Sequence, residues 1–228
     1  MGIWQLVAFD LDDTLYPERE FVRSGFKAVA RRLADLGVTD AASFFTAATS
    51  LFAAGVRGNI FDLALERLAV ACSAAEIREL VRVYREHPPQ IRPFAGSPRL
   101  LQILKARGAV LALISDGPGP AQQNKLRALG LETCFDHLVF TGAHGADWGK
   151  PSPRAFLKVM EASGVPAPAC VYVADNPQKD FAGPNRLGWG TIRVREQTGL
   201  YRDASPPPGG EPQATVNTFG GLGDLLLA

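Results

Sequence analysis

Residues 4–16 read WQLVAFDLDDTLY. A short apolar run, 4–9, passes straight into Asp10, and Asp12 and Asp13 follow at once. Continuous rather than alternating hydrophobicity points to a strand buried on both faces. In an extended chain Asp10 and Asp12 project to the same side. Carboxylates packed this closely at a strand end repel one another unless a cation neutralises them. Hard carboxylate oxygens suit Mg²⁺, which keeps several waters and needs only one or two carboxylates beside a substrate phosphate. Taken alone, the segment reads equally well as a polar turn with an Asx cap.

Three further apolar runs, at 110–114, 137–140 and 170–174, and a fifth at 191–194, are rich in β-branched or aromatic residues. Helical-period segments separate the last four. Ser97-Pro98 predicts an N-cap with proline in the first turn of a helix that closes at Gly108. Ser152-Pro153 repeats the arrangement and closes at Gly164, while AQQNKLRALG (121–130) ends at Gly130. This is the βαβ rhythm of a doubly wound parallel sheet.

Between Tyr16 and Pro93 the rhythm breaks. Val22, Phe26, Val29, Leu33 and Leu36 form one apolar stripe at helical spacing. Asp40 is placed to cap a helix over 41–54, with Phe44 and Phe45 filling its core. Asn59 opens a third helix to 71, and Ser73 with Glu76 forms a capping box for a fourth, to 86. The division is therefore an α/β core, 1–16 and 93–228, interrupted by an all-helical insertion, 17–92. An insertion directly after the first strand is expected to hang over the carboxyl end of the sheet, where α/β proteins bind ligands. The stretch GLYRDASPPPGGEP (199–212) reads as a loop, and no element is assigned after it.

A second acidic set stands at another strand end. VYVADNPQKDF (171–181) places Asp175 directly after a buried run and Asp180 five residues on, at the start of a helix. A helix cap explains Asp180 alone but not Asp175 as well. Ser115, in LALISDG, offers a hydroxyl in a turn whose amides can nest an anion. Lys150, in WGKPSP, stands before a helix and can neutralise a phosphate. Each is ordinary alone; four such groups at strand ends of one sheet are specific.

Composition narrows the class. The 228 residues carry 24 Lys plus Arg against 23 Asp plus Glu, a net charge of +1 that removes the simplest case for nucleic-acid binding. With 46% apolar residues the chain can bury a core, and no apolar run reaches the length of a membrane span. Three scattered cysteines form no disulfide framework or metal cluster, so a reducing cytoplasm is expected. No basic region precedes the first apolar run, so no secretory leader is expected. His87 and His144 are isolated and propose no metal site.

At this point the chain resembles the haloacid dehalogenase-like (HAD) hydrolase superfamily. DLDDT (10–14) resembles its first motif, Ser115 its second, Lys150 its third and DNPQKD (175–180) its fourth; the helical insertion resembles its cap. The resemblance implies a Rossmann-like doubly wound parallel sheet with a small all-helical cap domain. It implies Asp10 as nucleophile forming an aspartyl-phosphate, and Asp12 as general acid and base. It further implies Mg²⁺ held by Asp10, the Asp12 carbonyl and Asp175, with Asp180 in support. Ser115 and Lys150 would hold the phosphoryl oxygens, and Thr14 and Asp116 would shape the turns of the phosphate-binding site. Where many members have Gly-Asp in the fourth motif, this chain has Ala174-Asp175.

The expected activity is Mg²⁺-dependent hydrolysis of a small phosphorylated metabolite, a sugar phosphate or nucleotide. Asp12, Asp175 and Asp180 favour phosphoryl transfer over dehalogenation, since the dehalogenases of the superfamily lack the second Asp and the acidic cluster. A sugar phosphomutase of the same fold and a non-catalytic binding module are the alternatives. Arg19, Arg23, Arg57 and Asn59 are candidate substrate contacts in the cap, each also readable as a solvated surface residue. A monomer or homodimer is expected.

Overall fold

The computed structural model describes residues 4–227. The chain divides into two compact units: one joins the N-terminal stretch through Glu18 to everything from Ile91 onward, and the other spans Arg19–Gln90.

The first unit is built on a six-stranded sheet: β1 (Leu6–Phe9), β2 (Val110–Ser115), β3 (His137–Phe140), β4 (Cys170–Ala174), β5 (Gly190–Val194) and β6 (Ala214–Val216). The order is β3-β2-β1-β4-β5-β6, and every pairing is parallel. That order reverses direction between β1 and β4, creating the crevice beyond the strand ends that the doubly wound fold offers a ligand. In register, Phe9 lies between Leu113 and Val173, and the Asp10 amide carries the ladder one step further to Val173 O at 2.9 Å. Asp10 and Asp175 thus leave neighbouring strands at the reversal point.

Central strands β1 and β4 are buried on both faces, as continuous apolar runs require. The edge strand β3 is not; Leu138 is 36% exposed, because an outer strand lacks one neighbour. Leu6, Ala8, Ile114, Phe156, Tyr172 and Trp189 pack in one core cluster.

Several helix boundaries differ from the sequence expectation. The helix after Pro93 is Ser97–Ala106, and its cap is Gly96, not Ser97. Gly96 has φ +88°, a conformation that costs glycine little, so the chain turns one residue earlier and Ser97 is buried in the first turn. Pro153 has helical dihedrals, but the hydrogen-bonded helix starts at Arg154, whose amide lies 3.5 Å from Ser152 Oγ. It closes at Gly164, φ +68°, as expected. Two elements were not anticipated at all. β6 has only three residues, and the helix Phe219–Leu227 carries Gly220, Gly221 and Gly223, which weaken its intrinsic propensity; burial of Phe219, Leu222 and Leu226 holds it.

The second unit is all-helical. Helices α1 (Glu18–Asp35), α2 (Ala41–Ala53), α3 (Ile60–Arg67) and α4 (Ala74–Glu86) supply its core of Phe26, Leu33, Phe44, Phe61 and Leu80, with Phe45 partly buried against it. The Asp40 cap and the Ser73–Glu76 capping box both form. Val22, Phe26, Val29 and Leu33 are buried, but Leu36 is 54% exposed because α1 ends at Asp35 and the chain turns at Gly37. Asn59 makes no side-chain cap, and α3 stops short of 71, where Ala69 adopts φ +55°. A Cβ on Gly25 would meet Tyr84 Cε2 at 2.5 Å, so this glycine permits the aromatic ring to lie on α1. Among the described residues no helix is long and apolar enough to cross a membrane, and Cys72, Cys134 and Cys170 are free thiols.

Candidate active site

The turn after β1 is closed by the Leu15 amide donating to Leu11 O at 3.0 Å. Asp13 sits in it at φ +50°, conformational space that Asp tolerates better than most side chains. Its carboxylate repays the strain: Oδ1 accepts from the Glu18 amide at 2.8 Å and Oδ2 from the Leu200 amide at 2.7 Å. The 199–212 loop is thereby tied to the first motif. Arg193, on β5, adds a second tie: Nε donates to Asp175 O at 3.1 Å, and Nη2 to the carbonyls of Tyr201 and Arg202 at 2.7 and 3.0 Å.

Asp10, Asp175 and Asp180 come together, each offering a carboxylate oxygen within 4.8 Å of the others, and all three are buried. Lys150 Nζ lies against two of them, 2.7 Å from Asp10 Oδ1 and 2.7 Å from Asp180 Oδ1, and 2.9 Å from the Tyr172 hydroxyl. The contact with Asp180 Oδ1 is an ion pair off hydrogen-bond geometry. Asp180 does not cap the following helix. Its Oδ2 accepts from the Asn176 amide at 2.9 Å and closes the fourth-motif turn, while Phe181 occupies the cap position.

The Lys150 ammonium pairs with Asp10 and Asp180, whereas no lysine ion pair reaches Asp175 among the described residues. Burial raises the Asp10 carboxyl to about 6 despite Lys150. Burial, with Asp180 and Asp10 repulsion, pushes Asp175 well above the usual carboxylate range. Burial works against the Lys150 ammonium, but Asp10 and Asp180 outweigh it and hold its pKa well above the ordinary lysine value. Asp175 Oδ2 is buried with no hydrogen-bond partner, which natural proteins avoid unless something else satisfies the atom. A hard divalent cation would supply the missing charge and the missing partner, and the three oxygens lie close enough together to hold one.

Asp12 stands outside that cluster. Lys125 Nζ lies 2.7 Å from its Oδ1 and 2.9 Å from its Oδ2, Gln122 Nε2 donates to Oδ2 at 3.1 Å, and the Tyr16 hydroxyl donates to Oδ1. Burial opposes the charge, but Lys125 and these hydrogen bonds hold the Asp12 carboxyl below its ordinary pKa. The Gln122 amide also reaches Ser115 Oγ at 2.6 Å. Asp116 collects Lys179 Nζ at 2.8 Å, the Thr141 hydroxyl at 2.9 Å and the Lys150 amide at 3.2 Å. Thr14 is buried in the turn with its hydroxyl unpartnered.

Asp10, Ser115 and Asp175 stand at the carboxyl ends of β1, β2 and β4, but Lys150 does not end a strand: it lies ten residues past β3, after two short 3-10 turns, and its long side chain reaches Asp10 from there. Lys125, Gln122, Tyr16, Lys179, Tyr172 and Arg193 were missed. For Gln122 and Lys125 a signal existed: on the helix Gly119–Ala128 they share a face with Leu126 and Leu129, and polar groups on an apolar face need a buried partner. His87 is no metal ligand candidate; it is buried in the helical unit, with Nε2 3.0 Å from Ser24 Oγ and Nδ1 2.6 Å from Tyr84 O.

A doubly wound parallel sheet of this order, with an acidic cluster at the reversal point and a lysine against it, defines a Rossmann-like α/β class of protein. The model of the haloacid dehalogenase-like hydrolases matches residues 4–188, and the chain belongs to that family. It is 28% identical over 206 residues to the glyceraldehyde 3-phosphate phosphatase of Methanopyrus kandleri, covering 88% of this chain and 87% of that protein. It is 32% identical over 141 residues to the phosphoserine phosphatase of Thermus thermophilus, covering 62% of this chain and 55% of that one. Among solved structures, YfnB of Bacillus subtilis, assigned as a HAD-hydrolase and seen bound to magnesium, superposes with a TM-score of 0.66 at 19% identity over all of both chains.

Proposed function

We propose that this hydrolase is a Mg²⁺-dependent phosphomonoesterase of the cytoplasm, acting on a small phosphorylated metabolite through an aspartyl-phosphate on Asp10. The observation that carries the proposal is the buried Asp10–Asp175–Asp180 cluster with Lys150 against Asp10 and Asp180, Asp175 Oδ2 unpartnered and Asp12 held by Lys125. Asp10, Asp175 and Asp180, with the carbonyl of Asp12, would hold the cation. When bound it supplies positive charge to the carboxylates and to the phosphoryl oxygens.

A carboxylate oxygen of Asp10 attacks phosphorus, the bond to the ester oxygen breaks, and Asp12 gives that oxygen its proton. An incoming phosphate dianion next to Asp12 favours the protonated form this step needs. Asp12 then takes a proton from water; the water oxygen bonds to phosphorus, and the acyl-phosphate bond breaks to release phosphate and restore Asp10. Lys150 and the Ser115 hydroxyl hold the phosphoryl oxygens and stabilise their charge in the transition state. Asp116 shapes this pocket by binding Lys179, Thr141 and the Lys150 amide.

The relatives named for glyceraldehyde 3-phosphate and phosphoserine support a small phosphorylated substrate. The test is phosphate release from a panel of those two compounds, sugar phosphates and nucleotides, with Mg²⁺ or EDTA, for the unsubstituted protein and Asp10→Asn. Magnesium-dependent release abolished by the substitution supports the reading. Isomerised sugar phosphate with little free phosphate would replace it with a mutase, and a folded, inactive protein would end it.

A further inference from the structure

We infer that Lys125 and Gln122 are positioning residues that hold the Asp12 carboxylate for proton transfer to the leaving oxygen, an inference that rests on the phosphomonoesterase reading. Lys125 spans both oxygens of Asp12, at 2.7 and 2.9 Å, from a helix 113 residues away in sequence. The pair is not a solvated surface bridge, since the side chains are 7% and 20% exposed. Gln122 gives the arrangement its direction. Its one amide nitrogen lies 3.1 Å from Asp12 Oδ2 and 2.6 Å from Ser115 Oγ, so it fixes the distance between the proton-transferring group and the phosphate-binding hydroxyl. Tyr16 closes the remaining side of Oδ1. A carboxylate free to rotate among staggered and near-planar settings would meet the leaving oxygen only part of the time; one gripped at both oxygens is pre-organised.

This role differs in a measurable way from a merely structural ion pair. Proton donation matters most when the leaving alkoxide is a strong base and little when it is a stabilised phenolate. Misplacing Asp12 must therefore slow esters of poor leaving groups selectively, whereas loosening the fold slows all esters alike.

The experiment compares kcat/KM for glycerol phosphate and for a series of substituted phenyl phosphates, with Mg²⁺, in the unsubstituted protein, Lys125→Met, Lys125→Arg, Gln122→Leu and Asp12→Asn. A folded fraction below one cancels in ratios taken on the same sample. Lys125→Met is expected to lower the ratio of glycerol phosphate to 4-nitrophenyl phosphate activity by about tenfold or more, part of the hundredfold or greater contribution of general acid catalysis. Across the phenyl series its rates should fall more steeply with phenol basicity, approaching the Asp12→Asn slope. Gln122→Leu should shift the slope the same way, and Lys125→Arg should restore much of it. Equal losses on every ester would overturn the inference while leaving the phosphatase reading intact. Absence of magnesium-dependent release in the unsubstituted protein would overturn that reading, and this inference with it.

Discussion

Lys150 Nζ lies 2.7 Å from Asp10 Oδ1 although 140 residues separate them, and both side chains are nearly inaccessible to solvent. Removing one partner of a buried pair strands the other charge, so Lys150→Met is expected to cost roughly 3 kcal/mol, at the lower end of the usual range because Asp10 can take up a proton. Urea denaturation followed by tryptophan fluorescence measures this directly, because Trp4, Trp148 and Trp189 all lie in the α/β unit. Phosphate release should be lost as well.

Magnesium should stabilise the protein through Asp175. At a concentration about 100 times its Kd, a ligand that binds only the folded state adds roughly 2.7 kcal/mol. Asp175→Asn removes a buried carboxylate that repels Asp10 and Asp180, so in EDTA this variant should melt no lower than the unsubstituted protein. It should also show no magnesium-dependent rise. An equal rise in both proteins would show that Asp175 is not a ligand.

Asp13 combines φ +50° with two backbone amides on its carboxylate. Asp13→Gly relieves the dihedral but leaves both amides without their acceptor, while Asp13→Ala loses both benefits. The expected order of stability is Asp, then Asn, then Gly, then Ala, with the Ala variant lower by about 2–3 kcal/mol. Denaturation midpoints of the four proteins test the order, and an Ala variant as stable as Gly would show that the dihedral carries no cost.

Acid should loosen the β2 end through Asp136. Its Oδ2 accepts from the Leu111 amide at 2.9 Å, and its Oδ1 lies 3.0 Å from Lys105 Nζ. Burial opposes the charge, but the Leu111 amide and Lys105 together hold the Asp136 carboxyl below its ordinary pKa. A depressed carboxyl pKa gives stability that is present above the unfolded-state value near 4 and is lost as the pH falls through the folded value. The difference in stability between the unsubstituted protein and Asp136→Asn should therefore be largest near neutral pH and shrink below about pH 4. A difference constant from pH 7 to pH 3 would remove Asp136 from the account.

The core of the site was legible because it is written locally. Asp10, Ser115 and Asp175 each end or follow an apolar run, and a strand that is buried on both faces leaves its first polar residue at the sheet margin. The Ser73–Glu76 box and the Asp40 cap were legible for the same reason, as bonds between residues three apart. β6 and the last helix were not, because a three-residue outer strand and a glycine-rich helix exist only through what they pack against.

Sequence alone determined the alternation of strand and helix, the helical insertion after β1 and the carboxylates at the strand ends, all consequences of spacing along the chain. Tertiary structure decided that β1 lies between β2 and β4, which brings Asp10 beside Asp175 at the reversal point. It also decided that Lys125 meets Asp12 and that Arg193 holds Asp175 O. Such contacts join groups from 18 to more than a hundred residues apart, and their energy depends on burial and on distance through space, neither of which is encoded in local periodicity.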